Sequence, residues 1–143
     1  MKVLLDTNVI IDVLQKREPW CEDGQKIFIA AANQQITGCF SSKQAADIYY
    51  FSRKQFQGEE YVDSKARQIM SALYLLFELL DTTAVDCKNA LVLSNRDYED
   101  AILITLAERE NLDCIVTRNT EHFHPFTCIP VYTPNEFIKL IQE

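Results

Sequence analysis

Three aspartates of this chain lie beside apolar segments, which makes them candidates for one chemical site. Asp6 follows the run VLL, Asp47 lies within AADIYYF, and Asp100 precedes AILITLA. An ionised carboxylate at the edge of a dry core is destabilised by several kcal/mol unless a counter-charge or hydrogen bonds compensate. Carboxylates that converge also repel one another, and a bound divalent cation removes both problems. The three positions therefore indicate a cation site.

This set of side chains supplies only oxygen ligands. Such ligands favour Mg²⁺ or Mn²⁺ over zinc, and the chemistry that they support best is phosphodiester cleavage by a metal-activated water. Asp97, three residues before Asp100, either joins the site or only caps the helix that follows. His122 and His124 form an H-x-H pair, but no third His accompanies them, which favours a surface loop.

Short apolar segments alternate with longer amphipathic ones, a pattern typical of an α/β fold. The five predicted strands are all short and rich in Val, Ile, Leu or Phe. They span about Lys2 to Leu5, Ile36 to Phe40, Leu76 to Leu80, Asp113 to Thr117 and Ile129 to Tyr132. Near-continuous apolar strands indicate a parallel sheet covered on both faces. We therefore expect a single domain over residues 1–143, with three α/β/α layers and a central, mainly parallel sheet of about five strands.

Helix starts are marked by capping boxes at Ser41 to Gln44 and at Thr133 to Glu136. The region from Gln57 to Phe77 is predicted as a long helix that follows the helix beginning near Ser42. Together the two helices would form a hairpin that projects from the sheet.

Ligands of open α/β sheets bind beyond the carboxyl ends of the strands. The residues at those ends are acidic or polar. They are Asp6, Ser41 with Ser42, Asp81, and Thr117-Arg118-Asn119. One rim of the sheet should therefore collect these groups. Arg118 either pairs with one of the site carboxylates or contacts a substrate phosphate.

A formal net charge of -7 argues against a protein that holds nucleic acid through a broad basic surface. Any such contact must be local, through a metal or a basic partner protein. Five cysteines without C-x-x-C spacing are expected to be reduced core residues. Asp6 and Asp12 interrupt the apolar N-terminus, and no apolar stretch approaches the ~20 residues of a membrane helix, so we expect a cytoplasmic protein without membrane contact.

Four segments, taken in order, resemble the motifs of PIN domains and span essentially the whole chain. They are Asp6-Thr7-Asn8 after the first strand, Asp47 just inside a helix, Asp97 to Ala101, and Ile115 to Asn119 with Phe123. The chain is most similar to the small prokaryotic kind that includes VapC-type toxins. The resemblance implies an endoribonuclease that uses Mg²⁺ or Mn²⁺ and an activated water to hydrolyse RNA. It further implies the toxin of a toxin-antitoxin pair, with a homodimer and a basic antitoxin protein that covers the acidic cleft.

By motif matching, the resemblance assigns Asp6, Asp47 and Asp100 as metal ligands and adds Asp97 as a catalytic acid. The predicted substrate-binding or supporting residues are polar and lie near strand ends. They are Thr7, Asn8, Ser42, Arg118 and Asn119.

Two positions depart from many relatives, which carry Glu in place of Asp47 and Asp in place of Asn119. These departures leave open whether the site holds one metal or two. The alternative function is a catalytically silent PIN-like scaffold that binds proteins, which the neutral Asn119 and the acidic net charge favour.

Overall fold

The centre of the molecule is a sheet of five parallel strands in the order β3-β2-β1-β4-β5. The computed structural model describes residues 1–94 and 96–143. The strands are β1 (Lys2–Leu5), β2 (Thr37–Ser41), β3 (Glu78–Leu80), β4 (Cys114–Val116) and β5 (Val131–Tyr132). The strand order reverses at β1, so the carboxyl ends of β1 and β4 form the crevice where sheets of this kind bind ligands.

Helices cover both faces of the sheet. They are α1 (Thr7–Leu14), α2 (Cys21–Ala32), α3 (Ser42–Gln55), α4 (Val62–Leu76), α5 (Ala84–Ala90), α6 (Tyr98–Arg109) and α7 (Pro134–Gln142). Val3 and Leu5 of β1 pack in one core with α1, α2, α3, α4 and α7, whereas Leu4 packs in a second core with α6. This alternation follows from the period of two along a strand. The predicted three-layer α/β/α architecture is confirmed.

The predicted strands agree with the observed ones to within about two residues at each end, and both predicted capping boxes are present, at Ser41 and at Thr133. The predicted helix start at Gln57 is wrong, because α4 begins at Val62. Gly58 and Tyr61 have φ angles of 89° and 59°. These left-handed conformations do not continue a right-handed helix, so the chain turns before α4 begins.

Cysteines and membrane segments were also predicted. All five cysteines are free thiols, and Cys21, Cys39 and Cys114 are core residues as expected, whereas Cys128 is exposed. Within the two described ranges, none of the helices has the length and apolar character needed to cross a bilayer.

Candidate functional site

Asp6 lies at the carboxyl end of β1 and is the N-cap of α1. Hydrogen bonds fix both carboxylate oxygens: the Thr7 backbone N–H donates to Oδ1 at 2.7 Å, and Thr117 Oγ1 and Asn8 Nδ2 donate to Oδ2 at 2.7 and 3.2 Å. The side chain is buried, and burial raises the pKa of Asp6 above its ordinary value although the Thr117 hydrogen bond opposes the shift. Asp6 is therefore a preoriented carboxylate that is poorly solvated.

Asp100 lies in the first turn of α6, whose N-cap is Asp97. The Asp100 backbone N–H donates to Asp97 Oδ1 at 3.1 Å, so the predicted capping role of Asp97 is present. Burial, and after it the charge of Asp6, raises the pKa of Asp100 to about 7. The sheet and α6 thus bring Asp6 close enough for its charge to disfavour the ionised form of Asp100.

One cavity of about 290 Å³ is lined by Asp6, Asp47 and Asp100, the three predicted metal ligands. Asp47 is half-buried on α3, and Lys43, four residues before it, contacts its carboxylate. Lys43 Nζ also lies 3.0 Å from Glu99 Oε1 of α6, so this lysine bridges two acids across the cavity. The counter-charge of Asp47 is therefore Lys43 and not Arg118.

A group of potential ligand atoms adjoins the cavity at Asp100. Atoms of Asp97, Asp100 and His122 all lie within 4.8 Å of one another, and His122 Nδ1 is 2.9 Å from Asp100 Oδ2. This contact raises the pKa of His122. His122 does lie in a short 3-10 turn, but its ring belongs to the site. The H-x-H pattern did not indicate this contact, because 22 residues separate His122 from Asp100.

Two further residues that sequence reasoning missed hold Asp6 and its neighbours in place. Buried Gln44 donates from Nε2 to the Leu5 carbonyl at 2.7 Å and to Thr7 Oγ1 at 3.3 Å, which ties α3 to the end of β1. Thr117 also accepts a hydrogen bond from the Asn119 backbone N–H at 3.0 Å. Thr117 lay within the quoted motif, but nothing distinguished it from its neighbours before β4 was placed beside β1.

The remaining predicted substrate-binding residues lie farther along the rim. Arg118 Nε donates to Oδ2 of buried Asp12 at 2.6 Å, and its guanidinium lies 4.0 Å from the ring centroid of Trp20. Its structural ion pair is thus with Asp12 rather than with a site carboxylate. Ser42 is exposed, and its Oγ accepts a hydrogen bond from the Thr82 backbone N–H at 3.0 Å. The substrate contacts of Arg118 and Ser42 stay predictions.

The donor set fits a hard divalent cation. Asp6, Asp47 and Asp100 offer carboxylate oxygens to one cavity, and the raised pKa values of Asp6 and Asp100 show that their negative charges are undercompensated. Oxygen-rich sites with few nitrogen ligands suit Mg²⁺ or Mn²⁺. A cation at this position would stabilise the ionised forms of both aspartates.

Comparisons with known proteins agree with this fold. Residues 2–121 match the sequence family described as the PIN domain. The fold is similar to VapBC2 from Rickettsia felis bound to a promoter DNA fragment (20% identity, 92% of this chain and 97% of that chain, TM-score 0.64). It is also similar to VapBC-1 from nontypeable Haemophilus influenzae (18% identity, 94% and 99% coverage, TM-score 0.68).

A third similar structure is VapC20 from Mycobacterium tuberculosis, described as a toxin that cleaves the sarcin-ricin loop (10% identity, 87% of this chain and 96% of that chain, TM-score 0.64). None of the curated proteins matches the sequence. At these identities, the solved structures establish the likeness of the fold alone.

Proposed function

This chain belongs to the PIN-domain family, and on that premise we propose that it is a metal-dependent endoribonuclease that hydrolyses RNA phosphodiester bonds and acts as the toxin of a toxin-antitoxin pair. The observation that carries the proposal is the cavity shared by Asp6, Asp47 and Asp100, two of which have raised pKa values. Acids held together at such an electrostatic disadvantage are typical of functional sites.

In this proposal Asp6, Asp47 and Asp100 hold Mg²⁺ or Mn²⁺, and Asp97 and His122 complete the acidic end of the site. When bound, the ion would lower the pKa of a coordinated water and stabilise negative charge on the phosphate oxygens. The chain orients the ligands: Thr7, Asn8 and Thr117 fix Asp6.

Other residues of the site act on protons and on water. His122 Nδ1 and Asp100 Oδ2 are 2.9 Å apart, a pair that can hold a proton near neutral pH. Ile102 and Leu103 form an apolar wall of the cavity, which water hydrates poorly. A less hydrated site strengthens electrostatic interactions with the substrate.

The similar solved structures support RNA as the substrate and a protein inhibitor as the partner. One similar structure is described as a toxin that cleaves the sarcin-ricin loop, and another as a toxin-antitoxin complex from Klebsiella pneumoniae. The net charge of -7 favours a basic antitoxin that covers the acidic cavity. The homodimer implied by the resemblance stays a prediction.

Cleavage of a mixed, fluorescently labelled RNA pool tests the proposal. The purified chain is expected to cut the pool in Mn²⁺ and to stop when EDTA is added. Hydrolysis by an activated water predicts linear phosphate ends, whereas attack by the RNA 2′-hydroxyl would leave 2′,3′-cyclic phosphates. Cleavage that persists in EDTA, or cyclic products, would refute a metal-dependent hydrolase. An inactive chain that still binds Mn²⁺ would shift the test to structured RNAs, beginning with a sarcin-ricin loop oligonucleotide.

A further inference from the structure

Helix α3 carries a stripe of side chains that begins at the acidic cavity and runs away from it. Asp47, Phe51, Lys54 and Gln55 are spaced i, i+4, i+7 and i+8, so they lie on one face of the helix. Phe51 lines the acidic cavity and also lines a neighbouring cavity of about 370 Å³. The two cavities are therefore neighbours that share Phe51 as a lining residue.

The neighbouring cavity differs from the acidic one in charge. Its lining consists of Gln15, Arg17, Phe51, Lys54 and Gln55, which include two cations and, among the described residues, no carboxylate. The acid-lined cavity has the charge that a metal ion requires, and the cation-lined cavity has the charge that a phosphate requires. In this chain, whose net charge is -7, the two cavities lie side by side. We name this lining the cationic cavity.

The cationic cavity is built by hydrogen bonds between α1 and α3. Gln15 Nε2 donates to the Phe51 carbonyl, and Gln55 Nε2 donates to the Leu14 carbonyl, both at 3.5 Å. Arg17 Nε donates to Gln15 Oε1 at 3.1 Å and its Nη1 lies 3.8 Å from Asp12 Oδ1, and these two contacts orient the guanidinium. The seam between the two helices thus fixes the position of Arg17 relative to Phe51.

Phe51 is 42% exposed although it is a large apolar side chain. Lys54 is exposed as well, beside it on the same face. An exposed aromatic ring beside cations is the arrangement with which proteins bind single-stranded nucleic acid, because a base stacks on the ring and a phosphate contacts the cation.

We propose that Phe51 and the cationic cavity form a nucleotide subsite for single-stranded RNA, in which a base adjacent to the scissile phosphate stacks on Phe51 and its phosphate contacts Lys54 and Arg17. The proposal rests on the proposed function, since it extends the same site. It places the RNA strand along the α3 stripe, from the acidic cavity towards the cationic one.

The test compares Phe51→Leu and Lys54→Gln with one conservative variant and one control. Phe51→Tyr keeps an aromatic ring, and Lys139→Gln removes an exposed cation on α7, away from both cavities. For each protein, kcat/KM is measured on an unstructured RNA oligonucleotide in Mn²⁺ at several salt concentrations. Binding of the same labelled oligonucleotide is measured by fluorescence anisotropy in EDTA, so that this readout is independent of cleavage.

Phe51→Leu is expected to lower kcat/KM by about tenfold, mainly through KM, since a stacked base is lost. Lys54→Gln should flatten the slope of log kcat/KM against log salt by about 0.7, the value for one single-strand phosphate contact. Anisotropy should show weaker binding for both variants, Lys139→Gln should behave as wild type, and Phe51→Tyr should retain more binding and activity than Phe51→Leu. A residue with a purely structural role would not change the salt slope.

The outcomes separate this proposal from the proposed function. If wild type binds and cuts RNA and both variants match it, the subsite is refuted and the nuclease stands; the cavity is then free for a protein partner. If the variants weaken RNA binding while no protein cuts, the subsite stands and the nuclease fails. If wild type neither binds nor cuts single-stranded RNA, both are refuted.

Discussion

Asp6→Asn is expected to lower the rate of metal-dependent RNA cleavage by at least about 100-fold, because even an outer-shell partner of a metal ligand contributes 10–100-fold. The substitution keeps the size of the side chain but removes its charge. Both carboxylate oxygens of Asp6 accept hydrogen bonds from the protein, so an amide nitrogen in either position faces a donor. The variant therefore loses both the ligand charge and the orientation of the ligand. The measurement is the initial rate on labelled RNA in Mn²⁺.

Asp86→Asn is the matched control for this experiment. Asp86 is a buried aspartate, but it belongs to a capping box and pairs with Arg109, whose Nε lies 2.8 Å from Asp86 Oδ1. Burial raises the pKa of Asp86, yet hydrogen bonds from Arg109 and Thr83 outweigh it and the pKa ends below its ordinary value. Asp86→Asn should keep full activity. Equal activity losses in the Asp6 and Asp86 variants would contradict the assignment of Asp6 to the site.

Asp100→Asn is expected to abolish cleavage and, in EDTA at pH 8, to stabilise the protein. The two effects have one cause. The Asp100 carboxylate binds the metal, and its ionised form is electrostatically unfavourable when no metal is bound. Asp86→Asn should have the opposite effect on stability and cost about 1–3 kcal/mol, because it removes charged hydrogen bonds from a compensated pair. The measurements are thermal unfolding in EDTA and the cleavage rate in Mn²⁺.

The pH dependence of the free energy of unfolding determines whether Asp100→Asn stabilises or destabilises the protein. The pKa of Asp100 is about 7 in the folded protein and near 3.8 in the unfolded protein. At pH values between these two, the folded state binds more protons than the unfolded state, so the free energy of unfolding falls as pH rises through this range. The raised pKa of His122 acts in the same direction, because its stabilising charge is lost as pH rises. From pH 6 to pH 8, metal-free wild type should lose about 1.4 kcal/mol through Asp100.

For a chain of this size, that loss is a fall in Tm of about 3–6 °C. Asp100→Asn removes the titrating acid and the partner of His122, so its Tm should change much less between the two pH values. An unfolding profile of Asp100→Asn that matches wild type at both pH values would show that ionisation of Asp100 does not destabilise the folded protein.

Much of the fold could be predicted because its signals are local. The capping boxes at Ser41 and Thr133 are short-range patterns, and each strand is a compact apolar run. The start of α4 was missed because Glu59, Glu60 and Tyr61 have helix-compatible residue types, whereas the left-handed conformation at Tyr61 depends on the tertiary path of the turn. The capping box at Thr83 was also missed, since its third position is Asp86 instead of Glu or Gln.

The site was predictable where an acid lies beside or within an apolar run, and it was not where contacts cross between elements. Asp6, Asp47 and Asp100 were found in this way, and all three line one cavity. The bridge from Lys43 to Glu99 joins α3 and α6, and the contact of His122 with Asp100 joins α6 to the turn after β4. No spacing along the chain encodes such pairs. They follow only once the sheet order is known.

Calorimetric titration of Mn²⁺ into wild type, Asp86→Asn and Asp6→Asn at pH 7.5 is the most direct test of the central claim that this acidic cavity is a metal-dependent catalytic site. We predict that wild type and Asp86→Asn bind at least one Mn²⁺ per chain with a Kd of about 1 mM or below, in the range of weak carboxylate sites, and that Asp6→Asn loses this binding. Wild type that binds no Mn²⁺ at millimolar concentration, or Asp6→Asn that binds it equally well, would contradict the account and favour a protein-binding scaffold.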